Sequence, residues 1–112
     1  MKTEAQIQAE IVRWFHNNYC LRHNNPRCAI FSVPNELAAT NKIATIQAKV
    51  TGLMAGVSDL IVVMPDEVIF CEVKNEKGRQ SERQKEFESI VTDMGYRYIL
   101  VRSLDDFRAA IY

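Results

Sequence analysis

Two acids and a lysine border a pair of apolar runs. Asp59 opens Leu60-Ile61-Val62-Val63-Met64, and Glu72-Val73-Lys74 closes Val68-Ile69-Phe70-Cys71. The runs flank Pro65-Asp66 and predict a β-hairpin with strands buried on both faces. In an antiparallel hairpin, opposed positions have numbers that add to a constant set by the turn. With Pro65-Asp66 as the turn, Met64 faces Glu67 and Asp59 faces Glu72, their Cβ atoms roughly 4.5–5.5 Å apart. Lys74 follows Glu72 by two and points to the same side of the sheet. Facing carboxylates repel at low dielectric unless a cation separates them. Magnesium takes oxygen ligands and keeps some of its waters, so this trio suits metal-assisted hydrolysis. Two alternatives stay open on spacing alone. Glu72 and Lys74 also read as an edge-strand ion pair with Asp59 in a turn. Pro65, with φ fixed near −65°, also suits the primed two-residue turns poorly, which leaves room for a register slipped by one.

The elements that must hold these residues follow from periodicity and caps. Thr3 and Gln6 form a possible capping box for a first helix carrying Ile7, Ile11, Val12, Phe15 and Tyr19, fraying near Cys20. At ~100° per residue, Glu4 falls on the apolar arc and Glu10 off it. A carboxylate on a buried face needs a partner, and a metal shared with Asp59 and Glu72 would be one. A Glu favoured in the first turn by the helix dipole is the other reading. Ala29 to Val33 is a short strand stopped by Pro34, and Ala38 to about Thr51 is a helix closed by Gly52. Ser81 to Met94 is a further helix, with Ser81 and Gln84 as a second possible capping box and Gly95 past its end. Arg97 to Arg102 is the last strand, and Ser103 caps a terminal helix through Ala110. The order α-β-α-β-β-α-β-α predicts an α/β fold, a mixed sheet flanked by helices.

With 112 residues, the chain has the size of one domain spanning 1–112. No apolar run approaches the roughly 20 residues of a membrane span, and the N-terminal residues lack the apolar core of a signal peptide. Three widely spaced cysteines fit free thiols in a reducing cytoplasm better than a disulfide framework. A formal net charge of zero gives no global argument for nucleic acid, so local distribution has to decide. Lys74, Lys77, Arg79, Arg83 and Lys85 crowd one stretch against Glu76 and Glu82, and Lys77 and Arg79 flank Gly78 directly after the acid strand. That placement favours phosphate contact over a merely solvated loop. His16, Cys20, His23 and Cys28 include zinc-ligand types, but His16 falls off the apolar face and the spacing is irregular for a compact finger.

Asp59 with Glu72-Val73-Lys74 resembles the D…(D/E)-x-K signature of the PD-(D/E)XK nuclease superfamily. The surrounding pattern resembles its VRR-type (virus-type replication-repair) nuclease domain. That likeness lies in Glu4 with Gln8, Val33-Pro34-Asn35, Gly56 to Leu60, Gly78-Arg79, Ser81 to Lys85, Gly95-Tyr96 and Val101-Arg102, which together span nearly the whole chain. Ser58 stands in place of the superfamily's proline, and Glu36 where a glycine often follows Pro-Asn. The resemblance implies a restriction-endonuclease-like core and a Mg2+-dependent DNA endonuclease, with Mn2+ able to substitute. It also implies the behaviour of stand-alone, phage-type members, homodimers acting on branched DNA such as four-way junctions. Carried over by position, Glu4, Asp59, Glu72 and the Val73 carbonyl are the implied metal ligands, and Lys74 activates or orients the attacking water. Gln84 is an implied catalytic residue that equally reads as a helix cap, and Asn35, Lys77, Arg79 and Lys85 are the expected DNA contacts. A nuclease acting on flaps or duplex ends, or a DNA-binding module without chemistry, are the competing expectations.

Overall fold

The computed structural model describes residues 1–34 and 42–112. Its elements run α1 (Glu4–Phe15), β1 (Ala29–Ser32), α2 (Lys42–Val50), β2 (Leu60–Met64), β3 (Glu67–Val73), α3 (Glu82–Asp93), β4 (Arg97–Val101) and α4 (Leu104–Ile111). This is the α/β order the periodicity predicts. Asn35, Glu36 and the expected start of the second helix at Ala38 lie outside the described residues.

Three helices begin where a side chain can satisfy an orphan backbone N–H. Thr3 accepts from the Gln6 N–H while Gln6 accepts from the Thr3 N–H, and Ser81 and Gln84 repeat the arrangement on α3. The Ser103 hydroxyl accepts from the Asp106 N–H at the start of α4. The α1 helix ends in a single π-turn, His16–Cys20, close to where the sequence predicts fraying.

The strands form one sheet in the order β1-β2-β3-β4, antiparallel twice and then parallel. Parallel pairing of β3 with β4 needs a crossover, and α3 is that crossover. The hairpin register pairs Met64 with Glu67 and Leu60 with Cys71, so no slip occurs at Pro65-Asp66. A one-residue slip would turn Leu60, Val62, Ile69 and Cys71 out of the core, and that penalty outweighs the turn preference of Pro65. Those four side chains, with Val73 and Val101, pack against Ile7, Ile11 and Phe15 of α1 and Phe107 of α4. Alternation puts Phe70, Glu72, Tyr98 and Leu100 on the opposite face, where Phe70 and Tyr98 meet Phe87 of α3. Burial on both faces, expected along the whole hairpin, holds only at the end away from the turn. Leu60, Ile61, Cys71, Glu72 and Val73 are buried there, whereas Val63 and Glu67 are exposed.

Candidate active site

The acids gather at the buried end of the hairpin because backbone contacts pin each one. Asp59 sits one residue before β2, and continuing the ladder past Leu60 and Cys71 sets it opposite Glu72. Its carbonyl accepts from the Val33 N–H at 3.0 Å, tying it to the end of β1. Its Oδ2 accepts from the Val73 N–H at 2.8 Å, so the side chain is aimed across the hairpin. Ser58 is fully buried and donates through its hydroxyl to the Leu60 carbonyl at 3.3 Å. A hydrogen bond thus ties down the approach to Asp59.

Glu72 is 0% exposed, and as a carboxylate neither Oε1 nor Oε2 meets a hydrogen-bond donor. Burial pushes its carboxyl pKa up to about 9, and the neighbouring Asp59 carboxyl adds to the shift. Lys74 opposes it, and Glu4 adds a smaller upward push. Asp59 acts in two ways, as the partner with which a protonated Glu72 carboxyl can share its proton and through its own negative charge. A fully buried carboxyl group with both oxygens unsatisfied is costly and rare in native proteins. The edge-strand ion pair is excluded on two counts. β3 is an interior strand, and Lys74 does not satisfy the Glu72 oxygens.

Lys74 and Glu4 complete the cluster from two sides. The Lys74 N–H donates to the Val101 carbonyl at 3.0 Å, so the end of β4 fixes its backbone. Its stem lies along Gly78, and on the same glycine rests the Glu4 carboxylate: a Cβ added at Gly78 would come within 2.8 Å of Glu4 Oε2 and 3.2 Å of Lys74 Cδ. Glu4 therefore reaches from the first turn of α1 toward the end of the sheet, as its place on the apolar arc suggests. Among the described residues, no three His, Cys, Asp or Glu side chains are drawn together as a ready-made metal cage. The donor set still fits a hard divalent cation: two unsatisfied buried carboxylate oxygens, a facing Asp59 and Glu4 nearby. Gln84 is engaged as a helix cap, its carbonyl oxygen accepting from the Ser81 N–H at 2.8 Å, which leaves its amide N–H groups for other work. Val73 contributes its N–H to Asp59.

Several side chains that shape the surroundings of the acids escape a reading by sequence alone. The Arg102 guanidinium donates to the Asn75 and Gly78 carbonyls at 2.7 and 2.8 Å and clamps the loop after β3. Asn75 folds the same loop, accepting from the Lys77 and Gly78 N–H groups. The Gln80 amide donates to Glu88 and to the Tyr98 hydroxyl, on the face that carries Glu72. Burial raises the Tyr98 pKa; the Gln80 bond opposes that, and Glu72, Glu88 and Asp59 add to it. The signal for Arg102 and Tyr98 is their register on β4, which depends on a parallel pairing that no local pattern specifies. The clamped loop and the start of α3 line a shallow cleft of about 630 Å³ that includes Lys77, Arg79, Lys85 and Arg102. Three of the four expected DNA contacts are thus brought together, and Asn35 lies outside the described residues. A groove of similar size, about 660 Å³ between α1 and α4, holds none of Asp59, Glu72 or Lys74.

A family model described as the VRR-NUC domain matches residues 2–105. The chain belongs to the VRR-NUC family. Its nuclease domain occupies nearly the full sequence, and the acids described above lie inside the matched range. A solved structure titled "VRR_NUC domain protein" superimposes with a TM-score of 0.74 at 19% identity, over 98% of this chain and 85% of that one. At that identity the likeness speaks to the VRR-NUC fold, a four-stranded mixed sheet with flanking helices. No curated protein matches the chain. Among the described residues, no helix of this VRR-NUC domain is long and apolar enough to cross a membrane.

Proposed function

We propose that this VRR-NUC domain is a Mg2+-dependent endonuclease that hydrolyses DNA phosphodiester bonds, acting as a homodimer on branched DNA such as four-way junctions. The observation that carries the chemistry is Glu72: fully buried, both oxygens unpartnered, beside Asp59 and two residues before Lys74. A binding module has no use for buried carboxylates that repel phosphate, and a hydrolase has. Asp59, Glu72, the Val73 carbonyl and Glu4 would hold the ion. When bound, a divalent cation supplies a water of lowered pKa and offsets charge on the scissile phosphate.

The remaining work falls to the chain. Lys74, backbone-fixed by β4, orients the attacking water and faces the phosphate as charge builds on its oxygens. The water oxygen forms a bond to phosphorus as the P–O bond to the leaving strand breaks, and the departing oxygen takes up a proton. Lys77, Arg79 and Lys85 neutralise backbone phosphates along the cleft and set register without reading sequence. Asn35 is assigned to the same DNA contact, and Gln84 to the catalytic site through its amide N–H groups. The free thiols Cys20, Cys28 and Cys71 suit a reducing compartment such as the cytoplasm.

Cleavage of labelled four-way junction, flap and linear duplex DNA with Mg2+ or Mn2+, in wild type and Lys74→Ala, tests this reading. Paired symmetric junction cuts that vanish in the variant are the expected result. Cutting confined to flaps or duplex ends would reassign the substrate. Tight DNA binding without cleavage in any metal would leave a binding module.

A further inference from the structure

The formal charge of zero conceals an uneven division. Of the fourteen acids only Glu36 falls between residues 11 and 58, while Arg13, Arg22, Arg27, Lys42 and Lys49 lie there with His16 and His23. That stretch supplies the far part of α1, the loop into β1, β1 itself and α2, and β1 is an edge strand. Charge divided in this way between two parts of a chain points to an anionic partner. The cleft beside the acids draws Lys77, Arg79 and Lys85 from the other part of the chain, so it leaves this excess unused.

Two grooves of like size flank α1, and they differ in charge. The one toward α4 has Glu10, Glu76 and Asp105 in its walls. The other, about 650 Å³, is lined by Ala5, Gln8, Ala9, Arg13, His16 and Asn17. Among the described residues no acid lines it. Glu4 sits where this groove meets the cleft: its carboxylate lies beside Gly78 of the cleft, and its neighbour Ala5 opens the groove. At its far end the groove reaches the π-turn, and the loop beyond carries Arg22, His23 and Arg27, all exposed.

That loop holds its own shape. The Leu21 N–H donates to Asn24 Oδ1 at 2.9 Å, and the Asn24 N–H donates back to the Leu21 carbonyl at 2.9 Å. The Cys28 N–H closes the neck on the Tyr19 carbonyl at 3.0 Å. Among the described residues the ion pairs are Lys2–Glu10, Lys85–Glu82 and Arg97–Glu67, so Arg13, Arg22 and Arg27 keep uncompensated charge. Two routes give the reach from the acids. Val33 is tied to Asp59, and Arg27 lies six residues before it, roughly 20 Å at ~3.3 Å per residue. His16 lies twelve residues past Glu4, or about 18 Å along the helix. With one phosphate per ~3.4 Å of duplex axis on each strand, either distance is about six base steps.

We propose that this flank of α1 and the loop after it hold the backbone of a second duplex arm, with Arg13, Arg22 and Arg27 against its phosphates. One arm of a branched substrate then lies in the cleft of Lys77, Arg79 and Lys85, the other runs along the β1 side, and the acids stand between. The inference rests on the DNA reading above and names where the second arm goes. It requires nothing of the metal chemistry.

Fluorescence anisotropy of labelled four-way junction DNA, with Ca2+ in place of Mg2+, gives the first test. Arg22→Ala with Arg27→Ala should weaken binding about 10-fold and lower the slope of log K against log salt by about 2. Arg22→Lys with Arg27→Lys should restore most of the affinity, because such a contact reads charge. Arg97→Ala, which removes one positive charge at the hairpin turn, should alter neither value. A photocrosslinker on Asn25→Cys, in a Cys20→Ser background, maps the contact itself. It should label one arm about six base steps from the branch point. Affinity and slope indifferent to the arginine pair overturn the proposal, as does labelling that is absent or confined to the branch point. A wild type that binds no DNA overturns it together with the nuclease reading. If the pair matters but wild type cleaves nothing in Mg2+ or Mn2+, the nuclease reading falls and this surface stands. If wild type cleaves junctions and the pair is inert, the reverse holds.

Discussion

The β2–β3 hairpin has two ends built on one register, and they treat charge in opposite ways. At the turn, Glu67 is exposed and meets Arg97 at 3.4 Å, a surface ion pair of ordinary kind. At the far end, Glu72 is fully buried and its oxygens meet no donor. Charge at the turn is solvated and serves solubility and register. At the other end burial holds the Glu72 carboxyl protonated up to about pH 9, a perturbation with no structural return, of the kind that marks functional sites. One strand can therefore carry both kinds of acid, and burial with satisfaction, not residue type, separates them.

The substitution that sharpens this contrast most is Glu72→Gln. Nuclease activity should fall at least about 10³-fold, and the metal-free protein should become more stable by about 1–3 kcal/mol at pH 8. The sign follows from linkage. The Glu72 pKa is raised from 4.5 to about 9 in the folded protein, so between those values the folded state keeps a proton that the unfolded chain has released. Stability is then fully present below about pH 4.5 and declines as pH rises toward about 9. Urea titrations across that range, comparing wild type with Glu72→Gln without metal, isolate the slope due to this one carboxyl. Added Mg2+ should flatten the wild-type curve and leave the variant unmoved. Equal slopes in the two proteins would remove the distinction between the hairpin ends.

Lys74→Ala comes next, with an expected 10²–10³-fold loss of cleavage and little change in Mg2+-dependent stabilisation, since the lysine is assigned to water and phosphate. An equal loss of metal-dependent stabilisation would instead make Lys74 a support for the acids.

Much of this site was legible before the fold. The hairpin register puts Asp59 opposite Glu72 by arithmetic alone, and both capping boxes form as their spacing predicts, because each is fixed within a few residues. What stayed hidden depends on distant pairing. Arg102 clamps the loop after β3 only because β4 runs parallel to β3, a choice made by the α3 crossover and the whole core. Gln84 shows the converse: one short spacing, Ser81 to Gln84, serves a capping box whatever else the residue does. Lys77, Arg79 and Lys85, grouped by the charge pattern, line one cleft because those residues are near in sequence.

Two smaller effects probe the loop that joins the acid end to the cleft. Arg102→Ala removes donors to two carbonyls and should weaken junction binding about 10-fold, with kcat changed less, as loosening of Lys77 and Arg79 predicts. Gly78→Ala places a methyl group against Glu4 Oε2, a flexible carboxylate end that can swing aside. The fold should therefore survive while activity drops about 10-fold through displaced Glu4. A large fall in thermal stability would mean that the glycine serves the backbone and not the acid.

The smallest effect belongs to the turn. Arg97→Ala or Glu67→Ala should cost no more than about 1 kcal/mol and leave cleavage untouched, because an exposed pair at 3.4 Å competes with water and salt. Raising ionic strength should erase even that difference. Arg97 also reaches the Ala110 carbonyl, so part of the Arg97→Ala cost comes from the end of α4, and Glu67→Ala reports the pair more cleanly. A double-mutant cycle between the two positions separates these contributions. A coupling above about 1 kcal/mol would show that the turn end, too, holds its charge in a desolvated setting, and the contrast with Glu72 would narrow to the absence of a partner.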